Sequence, residues 1–388
     1  MIDRSSEIPV LEARSLRLVS PSLAAALGVP DFANELGLEP ARSAGVLLLD
    51  GLGAELLSQH ADDAPVLSRL ASRHRNLSAG FPATTSTSVT ALGTGLHAGE
   101  HGIIGYTFRA GTSDAPVLNT LRWCAHATKG HPDLRDVIVP ETVQPRPTVF
   151  ERVAAHGVAV YRIVPSDHHG SGLSRAVLRG AGHDLAADSL TQLADGIKTA
   201  TNTPGRSLTY GYYGGIDLAG HIFGPGSPEW RAQLREVDAT VARIAEELGT
   251  DTLLTIVADH GMIDTGDDRI DIDTEPDLAA QLVEIGGEPR VRHLHTVAGS
   301  AGDVLDTWRA VAGERAWIVS REEAISAGWF GPTMSEPFRQ RLGDVIVAAR
   351  DNWTFVRSVA EPMETALRGH HGSWTPREQL VPLIQIRA

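Results

Sequence analysis

The sequence predicts an α/β fold: a doubly wound, mostly parallel sheet flanked by helices, with a small inserted α+β cap. Four short apolar runs have the length and composition of buried parallel strands, and helix-like segments separate them. Such an alternation of strands and helices is typical of doubly wound sheets. The predicted strands are residues 45–50, 157–164, 207–213 and 251–260, and residues 379–386 are predicted to form a last strand.

The helices between these strands are recognisable from their pattern. Residues 148–155 and 228–248 carry apolar residues at helical spacing. Ser227 followed by Pro228 is a typical helix start, because serine caps free backbone N–H groups and proline fits the first turn. We expect these helices to cover the sheet.

A segment with a different pattern interrupts this core. Residues 290–325 form a strand–helix–strand pattern between two histidine-containing segments, ADHG and GHHG. We therefore predict three parts: residues 1–265 as the first part of the core, 266–345 as the inserted cap and 346–388 as the C-terminal part of the core.

Composition excludes several classes of partner. The formal net charge of −14 disfavours long nucleic acid, which needs a basic surface. A small anionic substrate is compatible with it if bound metal ions supply local positive charge. With one cysteine, Cys124, and no long apolar stretch, the simplest expectation is a cytoplasmic protein without a membrane partner. Nothing in the sequence indicates the oligomeric state.

Three predicted strand patterns end in aspartate, at Asp50, Asp217 and Asp259. The carboxyl ends of parallel strands lie at one edge of the sheet, where α/β proteins bind ligands. Three carboxylates in one crevice repel one another unless cations lie between them. The pattern therefore predicts a metal site at this edge.

Histidines accompany two of these aspartates. Asp217 and His221 are four residues apart and can share one face of a helical turn. His260 directly follows Asp259, and the two side chains can converge only if the chain turns there, which Gly261 permits. These pairs indicate mixed carboxylate and imidazole ligands.

A further histidine pair, His370 and His371, offers another ligand near the C-terminus. Carboxylates combined with imidazoles suit Zn²⁺ or Mn²⁺ better than Ca²⁺, which prefers oxygen ligands. Two divalent ions would bring four positive charges against three aspartates, and the remaining positive charge would match a phosphodiester.

A hydroxyl-rich run precedes a predicted short helix over residues 89–96. Hydroxyls at a helix start often serve as caps. The same position favours phosphate binding, and a nearby metal would make a hydroxyl nucleophilic. Spacing alone does not choose among Thr84, Thr85, Ser86 and Thr87.

The order of five segments resembles the type I phosphodiesterase/nucleotide pyrophosphatase family of the alkaline phosphatase superfamily. The resemblance covers residues from about 45 to 264 and from about 368 onward, and it implies an alkaline phosphatase-like core. The segments are VLLLDGLG (46–53), FPATTSTSVTALGTGLHAGEHGI (81–103), IDLAGHIFGPGS (216–227), VADHGM (257–262) and GHHG (369–372).

This resemblance implies a metal-dependent phosphodiesterase that hydrolyses nucleotides through a phospho-threonine intermediate on Thr85. It implies two divalent ions, Zn²⁺ or Mn²⁺. His371 is preferred over His370 because it directly precedes the glycine. One ion would be held by Asp217, His221 and His371, and the other by Asp50, Thr85, Asp259 and His260.

The chain departs from extracellular family members, which carry an asparagine where Tyr106 stands and also have disulfides and signal peptides. It is similar to soluble actinobacterial members, some of which hydrolyse cyclic di-AMP through pApA to AMP. A cyclic or linear dinucleotide is therefore the expected substrate. Five side chains are predicted to contact it: Tyr106, Phe108, Ser171, Arg175 and Trp329. Aromatic rings can stack on bases, although core packing is the alternative for these aromatic residues and a plain surface loop for Ser171 and Arg175.

Two kinds of alternative remain open at this point. One is another activity of the same superfamily, namely nucleotide pyrophosphatase, phosphomonoesterase or phosphonate hydrolase. The other is a catalytically silent metal- or nucleotide-binding protein. Sulfatase is disfavoured because the C/S-x-P-x-R motif is missing.

Overall fold

A computed structural model of the chain describes residues 9–111, 115–128 and 130–388. Its larger sheet has six strands within those ranges, five of them mutually parallel. The sixth strand, at the edge, is antiparallel to its neighbour. In spatial order the strands are Leu383–Arg387, Thr252–Val257, Ser43–Leu49, Ser207–Tyr213, Ala159–Val164 and His183–Ala186.

The central strand, Ser43–Leu49, is buried along its whole length. Its neighbours on both sides are parallel and in register, with Ser43 facing Ser207 on one side and Thr252 on the other. A strand buried on both faces must be apolar throughout, which explains the uninterrupted run that predicted it. The predicted α/β class is confirmed.

Helices pack on both sides of this sheet. The two predicted helices are present as Val149–Ala155 and Pro228–Glu247, and Ser227 caps the second by accepting the Trp230 N–H. The other helices of the described core are Val19–Ala26, Ala54–Gln59, Pro65–Ala71, Thr85–Thr94, Ala98–His101, Pro140–Val143, Gly172–Val177, Leu190–Thr201, Gly215–Phe223, Pro362–Ala366 and Pro376–Gln379. No helix in the described ranges has both the length and the apolar character needed to cross a membrane.

A second, antiparallel sheet forms beside the core. Its strands, in spatial order, are Leu282–Glu288, Val291–Thr296, Val345–Ala349 and Ala316–Ser320. Helix Ala301–Ala312 packs against it through Trp308, which is fully buried. The predicted strand–helix–strand unit is therefore present. The predicted boundary at residue 345 falls on the first residue of a strand of this sheet, so the sheet continues past that boundary.

Short elements complete the described chain. Strand Arg269–Asp271 pairs with Thr354–Val356, and strand Ile263–Asp264 pairs with Gly369–His370. The remaining short strands are Leu77–Ser78, Thr107–Arg109, Val117–Asn119, Cys124–Ala125 and Leu380–Val381, and the remaining short helices are Pro276–Ala279, Arg321–Ser326 and Glu336–Arg339.

Two buried ion pairs join the second sheet to the C-terminal segments. Arg290 donates two hydrogen bonds to the carboxylate of Glu378, at 2.9 and 2.8 Å, and both side chains are fully buried. Arg292 does the same with Glu361, at 3.1 and 2.7 Å. Bidentate geometry satisfies charges that would otherwise be costly to bury. These pairs fix the second sheet against the segments on either side of His371.

Replacing Arg290 by methionine should lower the free energy of unfolding by about 3–5 kcal/mol, because Glu378 would be left buried without its cation. Urea denaturation followed by circular dichroism would measure the change. Arg309→Met is the matched control: its pair with Glu323 is 44% exposed on both sides and should contribute less than about 1 kcal/mol. Equal losses in the two variants would contradict this account.

Candidate metal centre

The sheet topology brings the three predicted aspartates together. Asp50 directly follows the central strand, and Asp259 lies two residues beyond the neighbouring strand Thr252–Val257. Asp217 lies in the first turn of helix Gly215–Phe223, not at a strand end as predicted. The helix follows strand Ser207–Tyr213, so its start lies at the same sheet edge.

Each of the three aspartates has a buried carboxylate oxygen without a hydrogen-bond partner among the described residues: Asp50 Oδ1, Asp217 Oδ1 and Asp259 Oδ2. Burial, followed by repulsion from Asp259 and Asp217, raises the pKa of Asp50 well above its usual value. Burial also raises the pKa of Asp259. Buried carboxylate oxygens without donors are costly unless a cation binds them.

The other oxygens of the two most buried aspartates are tied to the protein. Tyr212 donates its hydroxyl proton to Asp50 Oδ2 at 2.5 Å. Asp259 Oδ1 accepts the backbone N–H groups of Gly51 and His260, at 3.1 and 3.0 Å. These bonds fix the orientation of both carboxylates, so that the unpartnered oxygens face the shared crevice.

Three imidazoles are oriented by backbone carbonyls in the same way. His221 Nδ1 is 2.7 Å from the carbonyl of Gly369, His260 Nδ1 is 2.9 Å from that of Gly261, and His371 Nδ1 is 2.9 Å from that of Ala83. A carbonyl only accepts, so each Nδ1 carries a proton, and Nε2 is the ring nitrogen left to face a metal. Burial, and then the neighbouring histidines, hold the pKa of His371 well below its usual value, which keeps it neutral.

The glycine after Asp50 is required for this packing. Gly51 has a φ of 73°, and a Cβ there would lie 2.9 Å from Asp217 Oδ1 and 3.0 Å from its Cα. Only glycine accepts both the left-handed backbone and the close approach. The DG dipeptide therefore lets the loop after the central strand approach the helix that carries Asp217.

Two groups of side chains have ligand atoms close enough to hold a metal ion. The first, Asp217, His221 and His371, is the predicted set. The second is Asp50, Asp217 and His260, with Asp217 shared between the two groups. Asp259 Oδ2, also predicted for the second ion, lies 3.4 Å from His260 Nε2. Within the described chain these atoms form one cluster of carboxylate and imidazole ligands.

The hydroxyl run is placed differently from the prediction, because the helix begins at Thr85 and not at residue 89. The Thr85 hydroxyl lies 3.2 Å from His260 Nε2. Thr84 donates to Glu288 Oε2 at 3.0 Å, and Ser86 bonds Thr120. Four hydroxyls were left open by the sequence. Of these, the Thr85 hydroxyl is the one that contacts a predicted metal ligand among the described residues.

Two cavities meet at Thr85 and Asp217. The first has a volume of about 250 Å³ and is walled by Tyr210, Tyr212, His168 and Ser171. The second has a volume of about 150 Å³ and is walled by Tyr106, Glu288 and His371. Thr85, Asp217 and Leu121 line both. The cluster thus has a space for a ligand on each side.

The predicted substrate contacts fall in different places. Tyr106 lines the second cavity and Ser171 the first. Arg175 lies in a neighbouring cavity and forms an ion pair with Glu141 at 2.8 Å. Phe108 and Trp329 are fully buried, which corrects the expectation that they stack on a base. Phe108 lies in the main core, and Trp329 packs edge-to-face on Phe81.

Sequence reasoning did not find two residues of the centre, Tyr212 and Glu288. Tyr212 could have been noticed because it lies one residue before the end of the strand beside that of Asp50. Glu288 comes from the second sheet, and no local pattern marks it. It is buried at the second cavity, and burial raises its pKa to about 8.

The fold thus places a cluster of metal-ligand type beside a hydroxyl at a helix start. Residues 45–374 match the family model described as type I phosphodiesterase/nucleotide pyrophosphatase. The chain belongs to this family, as the sequence predicted.

Solved structures with similar folds cover most of the chain. Murine ectonucleotide pyrophosphatase/phosphodiesterase 5 aligns with a TM-score of 0.68 at 15% identity, over 89% of this chain and 88% of that one. An inactive variant of the same murine protein, in complex with AMP, aligns with a TM-score of 0.66 at 15% identity, over 88% of this chain and 87% of that one. Phosphonoacetate hydrolase from Sinorhizobium meliloti aligns with a TM-score of 0.64 at 18% identity, over 89% and 90%.

Curated relatives match over shorter lengths. An uncharacterized pyrophosphatase/phosphodiesterase of Schizosaccharomyces pombe is 27% identical over 244 residues, which are 58% of this chain and 46% of the relative. The catalytic subunit of human GPI ethanolamine phosphate transferase 3 is 38% identical over 68 residues, which are 18% of this chain and 6% of the relative. The chain thus spans less than half the length of either relative.

The cluster makes a prediction about stability. Asp259→Asn removes one buried negative charge but keeps an oxygen for the two backbone N–H groups. At pH 8 it should raise the melting temperature of chelator-treated protein by a few degrees, because repulsion with Asp50 and Asp217 is relieved. It should also reduce the rise in melting temperature on adding Mn²⁺ or Zn²⁺.

Thermal unfolding followed by fluorescence would measure both effects. Asp195→Asn is the control, because its carboxylate is 54% exposed and pairs with Arg243 away from the cluster. A lower melting temperature for metal-free Asp259→Asn, together with an unchanged response to metal, would contradict a cation site here.

Proposed function

We propose that this chain is a metal-dependent phosphodiesterase that hydrolyses nucleotide phosphodiester bonds through a phospho-threonine intermediate on Thr85. The observation that carries the proposal is the position of the Thr85 hydroxyl, at the start of a helix and 3.2 Å from His260 in the ligand cluster. Helix starts stabilise phosphate groups through free N–H groups and the helix dipole.

The residues present fit two divalent ions, Zn²⁺ or Mn²⁺. Three carboxylate oxygens have no donor among the described residues, and three imidazoles offer Nε2. Bound ions would lower the pKa of the nucleophilic hydroxyl and of the attacking water and would stabilise charge on the leaving oxygen. The residues proposed to hold them are Asp217, His221 and His371 for one ion, and Asp50, Thr85, Asp259 and His260 for the other.

The chain's own residues carry the covalent step. Thr85 Oγ loses its proton and attacks phosphorus, the new O–P bond forms, and the bond from phosphorus to the leaving alcohol breaks. The departing alkoxide takes up a proton. Water then attacks the phosphorus of phospho-threonine, the bond from phosphorus to Thr85 Oγ breaks, and a phosphomonoester leaves while a proton from the water restores the Thr85 hydroxyl. The free N–H groups of the first turn of Thr85–Thr94 hold the phosphoryl oxygens through both steps.

The charge around Thr85 favours a diester over a monoester. No arginine or lysine of the described chain lines either of the two cavities that contain Thr85. A monoester carries about one more negative charge and usually requires an additional cation. The cavities on both sides of Thr85 also suit a phosphate with an organic group on each side.

We further propose a nucleotide substrate, with cyclic di-AMP, cleaved to pApA and AMP, as the most specific candidate. Tyr212 on one side of Thr85 and Tyr106 on the other offer aromatic surfaces for bases. Binding of AMP by the structurally similar murine variant supports the nucleotide class. The predicted cytoplasmic location agrees with a cytoplasmic dinucleotide and stays a prediction.

Thr85→Ala should lower turnover by at least about a thousandfold, because no other side chain replaces the nucleophile. Turnover with bis(p-nitrophenyl) phosphate and metal content by mass spectrometry would both be measured. Thr87→Ala is the matched control, since Thr87 lies in the same helix with a buried, unpartnered hydroxyl. Near-wild-type turnover in metal-loaded Thr85→Ala would rule out this nucleophile.

The wild-type protein should hydrolyse bis(p-nitrophenyl) phosphate at least about tenfold faster than p-nitrophenyl phosphate, since the cavities lack a cation for the extra charge of a monoester. Chelation should abolish both reactions, and added Mn²⁺ or Zn²⁺ should restore them. A preference for the monoester would support a phosphomonoesterase instead. Metal binding without any turnover would support the silent binding protein.

A further inference from the structure

A third cavity lies beyond the one that contains Thr85 and Glu288. It has a volume of about 300 Å³ and shares Tyr106 and Glu364 with that cavity. The third cavity is therefore the next space on the Tyr106 side of the centre. Its lining also includes Arg122, His126 and His131.

A hydrogen-bonded turn fixes Arg122 relative to the centre. Asn119 Oδ1 accepts the backbone N–H groups of Leu121 and Arg122, at 3.1 and 3.0 Å. Asn119 Nδ2 donates to the Tyr106 hydroxyl at 2.7 Å. Leu121 lines both cavities at Thr85, and the next residue, Arg122, lines the third. The turn therefore places the Arg122 side chain in the cavity next to the one that contains Thr85.

The charges in this cavity leave Arg122 available to an anion. Its Nη1 lies 3.3 Å from His131 Nε2, and Arg122 takes part in none of the ion pairs among the described residues. Glu361, the most buried acid of the cavity, is engaged by Arg292 and by His126 at 3.0 Å. Glu364 also lines this cavity and accepts the Tyr106 hydroxyl at 3.4 Å. It is the negatively charged group that would oppose an anion there.

We propose that the cavity around Arg122 binds a second phosphate of the substrate, one that is not cleaved. This inference rests on the proposed phosphodiesterase function and narrows its substrate class to diesters that carry a further phosphate group, such as phosphorylated dinucleotides. A guanidinium group binds phosphate with directed, charge-assisted hydrogen bonds. Arg122 lines neither cavity that contains Thr85 and lines the adjacent one, which suits a phosphate other than the scissile one.

A rival site for that phosphate is the cavity beyond His168. Three arginines line it, but each already pairs with a carboxylate: Arg162 with Asp184 at 2.6 Å, Arg175 with Glu141 at 2.8 Å and Arg179 with Glu151 at 3.2 Å. A phosphate there would have to compete with these partners. The observations therefore favour Arg122.

The test compares two linear dinucleotides that share the same scissile bond. The substrate pApA carries a terminal phosphate, and ApA lacks it. We expect metal-loaded wild-type protein to show a kcat/KM ratio, pApA over ApA, of about ten or more, as a charge-assisted contact would give. In Arg122→Met the ratio should fall to near one. In Arg122→Lys, which keeps the charge, the ratio should lie between that value and the wild-type value.

Two further variants serve as controls. Arg243→Met removes an arginine that is 39% exposed and lies away from these cavities, and it should leave the ratio unchanged. Arg175→Met tests whether the rival cavity beyond His168 binds the second phosphate instead. A ratio that persists in Arg122→Met, or that collapses in Arg175→Met instead, would overturn the proposal.

A binding measurement separates this inference from the proposed function. Thr85→Ala should bind pApA at least about tenfold more tightly than ApA, and Thr85→Ala with Arg122→Met should bind them equally, as titration calorimetry would show. Failure of the wild-type protein to hydrolyse bis(p-nitrophenyl) phosphate or either dinucleotide would contradict the phosphodiesterase itself. Equal binding of pApA and ApA by Thr85→Ala would contradict the role of Arg122 alone.

Discussion

The main physical constraint on this structure is the electrostatic repulsion among three carboxylates that lie in one crevice. Asp50 and Asp259 are buried at the ends of adjacent strands, and Asp217 reaches them from the helix that follows a third strand. Each has a buried carboxylate oxygen without a donor from the described chain, and Asp259 and Asp217 both repel Asp50. A fold keeps such an arrangement when a cation offsets the repulsion, and backbone carbonyls orient the three imidazoles beside it for metal binding.

The parts of the chain around this crevice keep it rigid from several directions. The start of the Thr85 helix is attached to the C-terminal segment, since Ala83 bonds both the backbone of Gly372 and the ring of His371. The second sheet adds Glu288 against Thr84 and holds the C-terminal segment through Arg290 and Glu378. Residues distant in sequence are thus positioned by buried polar contacts, which favours a preorganised site.

Much of this could be predicted because the signals are local. Apolar runs located the strands, and aspartates at their ends indicated the crevice. Spacing could not identify the nucleophile among the neighbouring hydroxyls, because that choice depends on which hydroxyl at the helix start lies close to His260. Glu288 and Tyr212 were missed because their roles come from contacts between distant segments. Phe108 and Trp329 were wrongly expected at the substrate, since aromatic residues near a motif pack equally well in a core.

The central claim is that this crevice holds a pair of divalent cations beside Thr85. Anomalous diffraction from crystals grown with Zn²⁺ or Mn²⁺ tests it most directly. Two peaks are expected, each about 2.0–2.2 Å from its ligand nitrogens and oxygens, one at Asp217, His221 and His371 and the other at Asp50, Asp259 and His260. Absence of anomalous density in the crevice, or peaks only elsewhere on the protein, would contradict the account.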